Sequence, residues 1–487
     1  MIHDQVAAAH ELQTGEKVYA RGTAHGRGFR TALTAALAVL TSCASYEPRP
    51  LDGPAHIQEW LDRRLQAETL QARLQRMDLE WQDGAVQFDA HDGLQLAEAQ
   101  WVALAFNPGL RLERLRLTQA AVAAQESARW PDPRFTLSAL ELREETPDPW
   151  VITQGLEFSL PLSGRAGAYR DLKQAQEQVA MRTVREAEWG VLHGLALTWV
   201  QWSASQLRIE QTERHLESLA PIIETTIGLA LSGEILPTEA SLVALEHAMQ
   251  ESRLEGLRGQ ATVYRQQLLA RMGLPPGHQV LLLPNLTADG NGGPASQAHE
   301  SALAARNPGL ARLREEYQAQ EHALRMEVAK QWPDLGLGPA FESDEGRAKL
   351  GLIGGLTLPL WNANGESIAS ARVEREWARA ALEAEHEALL GRLAASTLRT
   401  ASLERQRAHM EQTLVPLLDQ QVHDAIRLVH LGEGSTLVLV ESLTRAHQVQ
   451  LDWISMRASL AETSHEHVFL IGPSQRAPES VTEEPIQ

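Results

Sequence analysis

The sequence predicts an α+β membrane protein built as a duplicated half-molecule, in which long coiled-coil rods carry two β-hairpins of membrane-spanning length. Three observations predict it. Four landmarks recur in the same order at an offset near 200: Asn107-Pro108-Gly109-Leu110 with Asn307-Pro308-Gly309-Leu310, Trp130-Pro131-Asp132 with Trp332-Pro333-Asp334, Leu160-Pro161-Leu162 with Leu358-Pro359-Leu360, and Gly233-Glu234 with Gly432-Glu433. Two helical patterns each run for roughly seventy residues, and two pairs of alternating segments have the length of strands. A period of this size is far too long for a solenoid and marks a duplicated half.

Residues 1–42 form a signal region. Arg27 and Arg30 lead into an apolar run from Thr31 to Leu40, then Leu40-Thr41-Ser42-Cys43. A positive stretch before a short apolar run is the mark of a secretory signal. The small residues before the chain's one cysteine, Cys43, resemble a bacterial lipobox, in which the cysteine becomes a lipidated N-terminus. An ordinary signal with an incidental cysteine is the alternative. Ala44, rather than Asp, follows it, which by the same resemblance points to the outer membrane. A single lipid is a modest anchor, about 0.8 kcal/mol per buried CH2, so firm retention needs a second element. Residues 1–24 read as an overlong start, with Val18 an alternative one. The signal region holds Lys17, Arg21, Arg27 and Arg30 against Asp4, Glu11 and Glu16, so its loss takes the net charge from −19 to −20.

An N-terminal segment, 43–95, precedes the first repeat, 96–272. That repeat opens with a helical stretch over 96–129, which Trp130-Pro131 stops, because proline disfavours helical geometry in the residue before it. Strands at 134–143 and 150–161 follow as a hairpin (134–161), with Phe135, Leu137 and Ala139 and then Ile152, Leu156, Phe158 and Leu160 in alternation. A rod over 165–231, a turn at Ser232-Gly233-Glu234 and a return helix at 238–272 complete the half. A linker, 273–299, carries Pro275-Pro276 and Asn291-Gly292-Gly293-Pro294. The second repeat, 300–468, has a helical stretch at 300–331 and strands at 335–342 and 349–360 (hairpin 335–360). Leu350, Leu352, Leu356 and Leu358 lie on one face of its second strand, with Gly351, Gly355 and Thr357 on the other. A rod over 362–431, a turn at Gly432-Glu433-Gly434-Ser435 and a return helix at 436–468 follow, and 469–487 is a tail. Each rod spans roughly 100 Å at 1.5 Å per residue. Pro221 and Pro416 are expected to kink the rods rather than end them. Helices this long need coiled-coil partners.

Four strands of about nine to twelve residues suit a tilted bilayer crossing. Four cannot close a barrel, and lipid does not tolerate an open edge, so strands in the membrane must be pooled by several copies. The composition narrows the rest. Lys+Arg 44 against Asp+Glu 63 argues against a sequence-independent nucleic-acid binder, and one Cys excludes a disulfide scaffold and a Cys-rich metal cluster. No run of eighteen apolar residues exists for a membrane-spanning helix.

The ordered Asn-Pro, Trp-Pro-Asp, Leu-Pro-Leu and Gly-Glu landmarks resemble the TolC-like outer membrane efflux family across nearly all of 52–470. The lipobox and Tyr46-Glu47-Pro48 look most like the lipoprotein outer-membrane components of tripartite efflux pumps. The resemblance implies a homotrimer whose chains pool twelve strands into one transmembrane β-barrel, continuous with a long α-helical coiled-coil barrel that extends into the periplasm. It implies a lipid-anchored protein of the cell outer membrane, a passive conduit without catalytic residues or cofactor apart from the lipid on Cys43. Its partners would be a periplasmic adaptor and an inner-membrane transporter, with no nucleic acid. The linker would join the N- and C-terminal segments in a belt. The tips at Gly233 and Gly432 match the adaptor-docking and aperture end. Family members carry acids six and nine positions after the second tip glycine; here Val438 and Glu441 stand there, and Glu239 is the sixth after Gly233. Glu239 and Glu441 are therefore aperture candidates, with ordinary solvated helix charges as the alternative.

Other readings are weaker. Walker, His-Glu-x-x-His and Gly-x-Ser-x-Gly motifs are absent from the sequence, so the chain does not read as an enzyme. His465-Glu466-His467 is a poor chelate on a helix, since residues two apart point to different faces. Trp150 and Trp361 fall at strand ends, where interfacial belts favour indole, although packing accounts for them as well. A periplasmic coiled-coil scaffold lipoprotein and a type I secretion duct remain the alternatives to an efflux channel. The cargo, the matching pump and the gating conditions are not written in the chain.

Overall fold

The computed structural model describes residues 46–76, 92–127, 129–141, 150–160, 163–286, 297–344, 347–356 and 361–473. Among the described residues, those up to Glu59 belong to one unit and those from Trp60 onward to a second. Cys43, the signal region, both hairpin turns, much of the linker and most of the tail lie outside the described residues. The helices are α1 (Gly53–Leu61), α2 (Ala67–Arg76), α3 (Leu96–Phe106), α4 (Pro108–Glu126), α5 (Arg165–Ser232), α6 (Pro237–Arg271), α7 (Gln297–Arg306), α8 (Pro308–Ala329), α9 (Gly365–His409), α10 (Val415–His430) and α11 (Thr436–Ile471). The strands β1 (Arg134–Glu141), β2 (Trp150–Leu160), β3 (Leu335–Asp344) and β4 (Arg347–Leu356) form one antiparallel sheet in the order β1-β2-β3-β4.

Within the second unit, α5 is the spine: α3, α4, α6, α8 and α11 all pack on it. The helices of the second half repeat the scheme, with α8 and α11 packed on α9 and α10 packed on α11. The β2–β3 ladder joins the hairpins, and α5 packing on α8 and α11 joins the helices, so neither half stands alone. Equivalent core positions recur at the repeat offset. Ala103, Leu110 and Leu195 are buried in the first half, as are Leu303, Leu310 and Leu393 in the second. Val200 and Ala204 of α5 pack on Ile454, Ala458 and Ala461 of α11 where the halves meet. Leu94 pairs with Leu282 in an isolated parallel bridge, tying the segment before the first repeat to the linker.

Each helical stretch predicted as continuous breaks in two. The stretch over 96–129 divides at Asn107 and that over 300–331 at Asn307. The cause is the asparagine-proline pair. Proline takes the first helical position, where a missing N–H costs nothing, and the asparagine becomes the N-cap. The Asn107 carboxamide accepts from Gly109 N–H (2.9 Å) and Leu110 N–H (3.2 Å), and Asn307 accepts from Leu310 N–H (3.0 Å). Their amide groups donate to the ends of the return helices, Asn107 to Arg271 O (2.8 Å) and Asn307 to Leu470 O (2.9 Å). Arg114 and Arg314 reach back over the breaks to Leu104 O and Ala304 O. Gly273 (φ 71°) and Gly472 (φ 94°) pass so close beneath that an added Cβ would lie 2.1 Å from Phe106 O and 2.5 Å from Arg306 O. These are two copies of one latch, closing a helix break onto the end of a return helix.

The long helices differ between halves. Helix α5 runs unbroken through Pro221 for 68 residues. The equivalent path holds a π-helical turn at Met410–Leu414 directly before Pro416, which sits in the first turn of α10. A wider turn moves the i−4 carbonyl off the proline ring, so the chain passes it without ending the rod. Leu195 and Leu393 are offset by 198, whereas Gly233 and Gly432 are offset by 199. The second half therefore carries one extra residue between those points, in the stretch that holds the π turn. The return helices span Pro237–Arg271 and Thr436–Ile471.

Asn307→Ala removes a helix cap and a buried hydrogen bond, and is expected to lower stability by about 2 kcal/mol. Gly472→Ala is expected to cost more, because the backbone beneath it cannot yield. Thermal unfolding of the detergent-extracted protein followed by circular dichroism checks both.

Candidate functional site

Two surfaces carry the functional expectations, the sheet and the helix tips. The sheet register puts directly opposed residues on the same face. One face collects Phe135, Leu137, Leu156, Phe158, Leu337, Phe341, Leu350 and Leu352, interrupted by Gln154 and Ser343 and, at the turn end of β1, by Glu141. The other collects Thr136, Ser138, Thr153, Glu157, Glu342, Lys349 and Gly351, interrupted by Leu140, Val151 and Ile353. The apolar face is bare: Leu350 is 85% and Leu352 78% exposed. On the polar face, Lys349 bridges Glu342 (3.1 Å) and Asp344 (2.7 Å), so its charge is met locally. The β2–β3 ladder skips Leu156 and Glu157, opposite and beside Pro339, which has no N–H to donate. Strand β1 pairs only with β2, and β4 only with β3, so among the described residues both outer edges are unpaired.

The second hairpin runs closer to its turn than its alternation suggested, whereas among the described residues the first ladder ends at Glu141, short of the expected 143. Strand β3 reaches Asp344 and β4 begins at Arg347, leaving two residues between them. Trp130, Trp332 and Trp361 flank the helical end of the sheet and are exposed, while Trp150 begins β2 at the opposite end. At the helical end Arg165, opening α5, pairs with Asp334 (3.0 Å) just before β3, and Asn364 donates to Glu327 Oε2 (2.8 Å) and Glu327 O (2.8 Å). Among the described residues no helix is long and apolar enough to cross a membrane.

At the tips, Gly233 (φ 79°) and Gly432 (φ 72°) cap α5 and α10 in the left-handed conformation. Glu234 N–H returns to Leu229 O (2.9 Å), and Glu433 N–H returns to Leu428 O (3.1 Å). These closures satisfy the last helical carbonyls and let each chain reverse in a few residues. Leu231, Leu236, Leu431 and Val438 stand exposed around them. Behind the tips, α5, α6 and α11 meet through a small apolar cluster of Leu219, Val243 and Val440. Glu239 lies half-buried in the first turn of α6. Glu441 is exposed on α11 and pairs with Arg445 at 2.6 Å, which offsets its charge. No hydrogen bond or ion pair joins Glu239 to Glu441 among the described residues. Sequence reasoning passed over Arg445, although its i,i+4 spacing to Glu441 was visible.

His465 and His467 of α11 diverge. His467 lies edge-on to His299 with ring centroids 5.2 Å apart, and among the described residues no group of three or more His, Cys, Asp or Glu side chains is arranged to hold a metal ion.

No family model and no curated protein matches the sequence. Solved structures do match in fold. The outer-membrane channel OprN shares 16% identity over 79% of this chain and 91% of its own, with a TM-score of 0.68. The outer membrane protein VceC from Vibrio cholerae shares 15% identity over 78% of this chain and 96% of its own, with a TM-score of 0.65. The CmeC outer membrane channel of Campylobacter jejuni shares 14% identity over 81% of this chain and 90% of its own, also at 0.65. The chain therefore has the fold of TolC-like outer-membrane channels, which are channels rather than enzymes.

Gly432→Ala, forced into a left-handed backbone, is expected to cost about 1–2 kcal/mol locally. Hydrogen exchange should quicken in peptides covering 425–436 and stay unchanged around Leu110 and Leu310.

Proposed function

We propose that the chain is the outer-membrane channel of a tripartite efflux system, conducting cargo passively from a periplasmic adaptor and an inner-membrane transporter to the exterior. The observation that carries this reading is the four-stranded sheet with one bare apolar face, one polar face and two unpaired edges. In hydrocarbon every backbone polar group needs a partner, so such a sheet is stable only when β4 of one copy pairs with β1 of the next. Three copies then give a twelve-stranded barrel, with Leu350 and Leu352 toward lipid and Thr153 and Glu342 toward the lumen. The fold likeness to OprN, VceC and CmeC supports the same assembly. Lipidation at Cys43 would anchor each chain in the outer membrane, with the helices reaching into the periplasm. The exposed leucines around Gly233 and Gly432 suit an adaptor's docking surface. A scaffold lipoprotein would leave the apolar face of the sheet uncovered, which disfavours that reading. A secretion duct would share the architecture and differ in cargo.

The native mass of the complex in mild detergent tests the reading. Three chains, each acylated at Cys43, are expected; a monomer that extracts without detergent once Cys43 is replaced by Ser would end it. On the same logic Leu352→Lys should cost about 2–4 kcal/mol in the bilayer and deplete the trimer, whereas Thr153→Lys on the lumenal face should not.

Glu239 and Glu441 stand in this reading as aperture residues. Because Arg445 offsets Glu441, Glu239→Gln is expected to lower the cation-to-anion permeability ratio more than Glu441→Gln does. Reversal potentials across a planar bilayer in a salt gradient measure both.

A further inference from the structure

One layer above the apolar cluster at the tips, helices α5 and α11 meet through two histidines. His215 is one turn before Leu219 on α5, and His447 is two turns after Val440 on α11, so both continue the stripe that forms the cluster. The imidazoles lie face to face, centroids 4.4 Å apart and planes 5° from parallel. Both are buried, at 6% and 5% exposure, and the Nε2 of each finds no hydrogen-bond partner among the described residues. At 1.5 Å per residue, the pair stands about 27 Å from Gly233 along α5 and about 17 Å from Thr436, where α11 begins after the Gly432 turn.

A stacked pair of this kind suits two neutral rings. A proton on either ring puts a charge in a dry interface, against a ring face and with no acceptor aligned to its new N–H. The groups that bear on the pair electrostatically come from α6: Glu246 and His247 act on His215, and Arg253 acts on His447. Glu246 favours the charged form, whereas His247 and Arg253 oppose it, so the surroundings do not offset the cost of burial. Burial pushes His447 down to about 4, with His215 and Arg253 adding to the effect, and burial lowers His215 as well. The sign follows. Packed rings resist protonation between about pH 6.5 and 4, while parted rings accept a proton at the ordinary histidine value, so acid favours the parted state.

We propose that the His215–His447 stack is an acid-sensitive fastener: protonation parts α5 from α11 and frees the helix ends that carry the turns at Gly233 and Gly432. Below the stack, among the described residues, the Leu219, Val243 and Val440 cluster with its half-buried neighbours and a hydrogen bond from the Thr444 hydroxyl to Glu246 (3.5 Å) hold that end together across the halves. If the chain is a channel, as proposed above, the freed segment is its periplasmic mouth, and acid opens it.

The test is hydrogen exchange of the detergent-extracted, full-length protein at pH 7.5 and 5.0, with rates corrected for intrinsic chemistry. Peptides covering 216–245 and 415–446 should lose protection about tenfold or more at pH 5.0, and peptides near Leu110 and Leu310 should not. In the double variant His215→Phe, His447→Phe, which keeps a ring stack without a titrating group, the acid-dependent loss should vanish. An equal loss in that variant, or no loss in the unaltered protein, overturns the proposal. Should the double variant fail to fold, His447→Gln decides it: a smaller acid-dependent loss sustains the fastener, and an unchanged loss removes it. Bilayer current recorded in parallel separates the two readings. Acid-dependent exchange without current at either pH keeps the fastener and discards the channel.

Discussion

A strand edge in hydrocarbon has no water to meet its N–H and C=O groups, and each group left unmet costs several kcal/mol. Much of this chain can be understood as a response to that requirement. Among the described residues no strand pairs with the outer edges of β1 and β4, and one face between those edges is apolar and exposed. A protein that kept this sheet to itself would present both an unpaired edge and a large greasy surface. In the assembly proposed above, the same geometry would close, with every edge group satisfied by a neighbouring copy. The Arg165–Asp334 pair ties the start of α5 to the entry of β3, and Asn364, capping α9, is tied to Glu327 of α8, so the helical end of the sheet is fastened on both sides.

Below the sheet, order comes from two latches and a spine. Asn107 and Asn307 each cap one helix and grip the end of another, and Gly273 and Gly472 let the backbones pass at close range. Buried leucines fill the space around both. Helix α5 makes contact with both halves, so the duplicated units behave as one body rather than as two halves joined by a linker.

The duplication, the strands and their two faces were legible in the sequence because each rests on a local pattern: a repeated motif, an alternation of period two, a glycine at a turn. The helix breaks at Asn107 and Asn307 were not. Asn-Pro-Gly-Leu stood out as a landmark, but proline at a helix start looks from sequence much like proline within a longer helix, and only the packing against Arg271 and Leu470 shows which it is. Arg445 was within reach of the i,i+4 rule yet went unweighed beside Glu441. The His215–His447 stack had no signal at all, since residues 232 apart meet only once α11 has folded back along α5.

The π turn at Met410–Leu414 has a consequence for how the two halves came to differ. One extra residue in a straight α-helix rotates everything beyond it by about 100° and would carry the seam residues off their partners. Wound into a single wide turn, the surplus is taken up locally, and Val440 still meets Leu219 and Val243. In genetic terms, a single-codon length difference between the duplicated halves was tolerated in the middle of a rod because the helix could store it. Coiled-coil rods of this kind can therefore drift in length one codon at a time without losing the alignment of their ends.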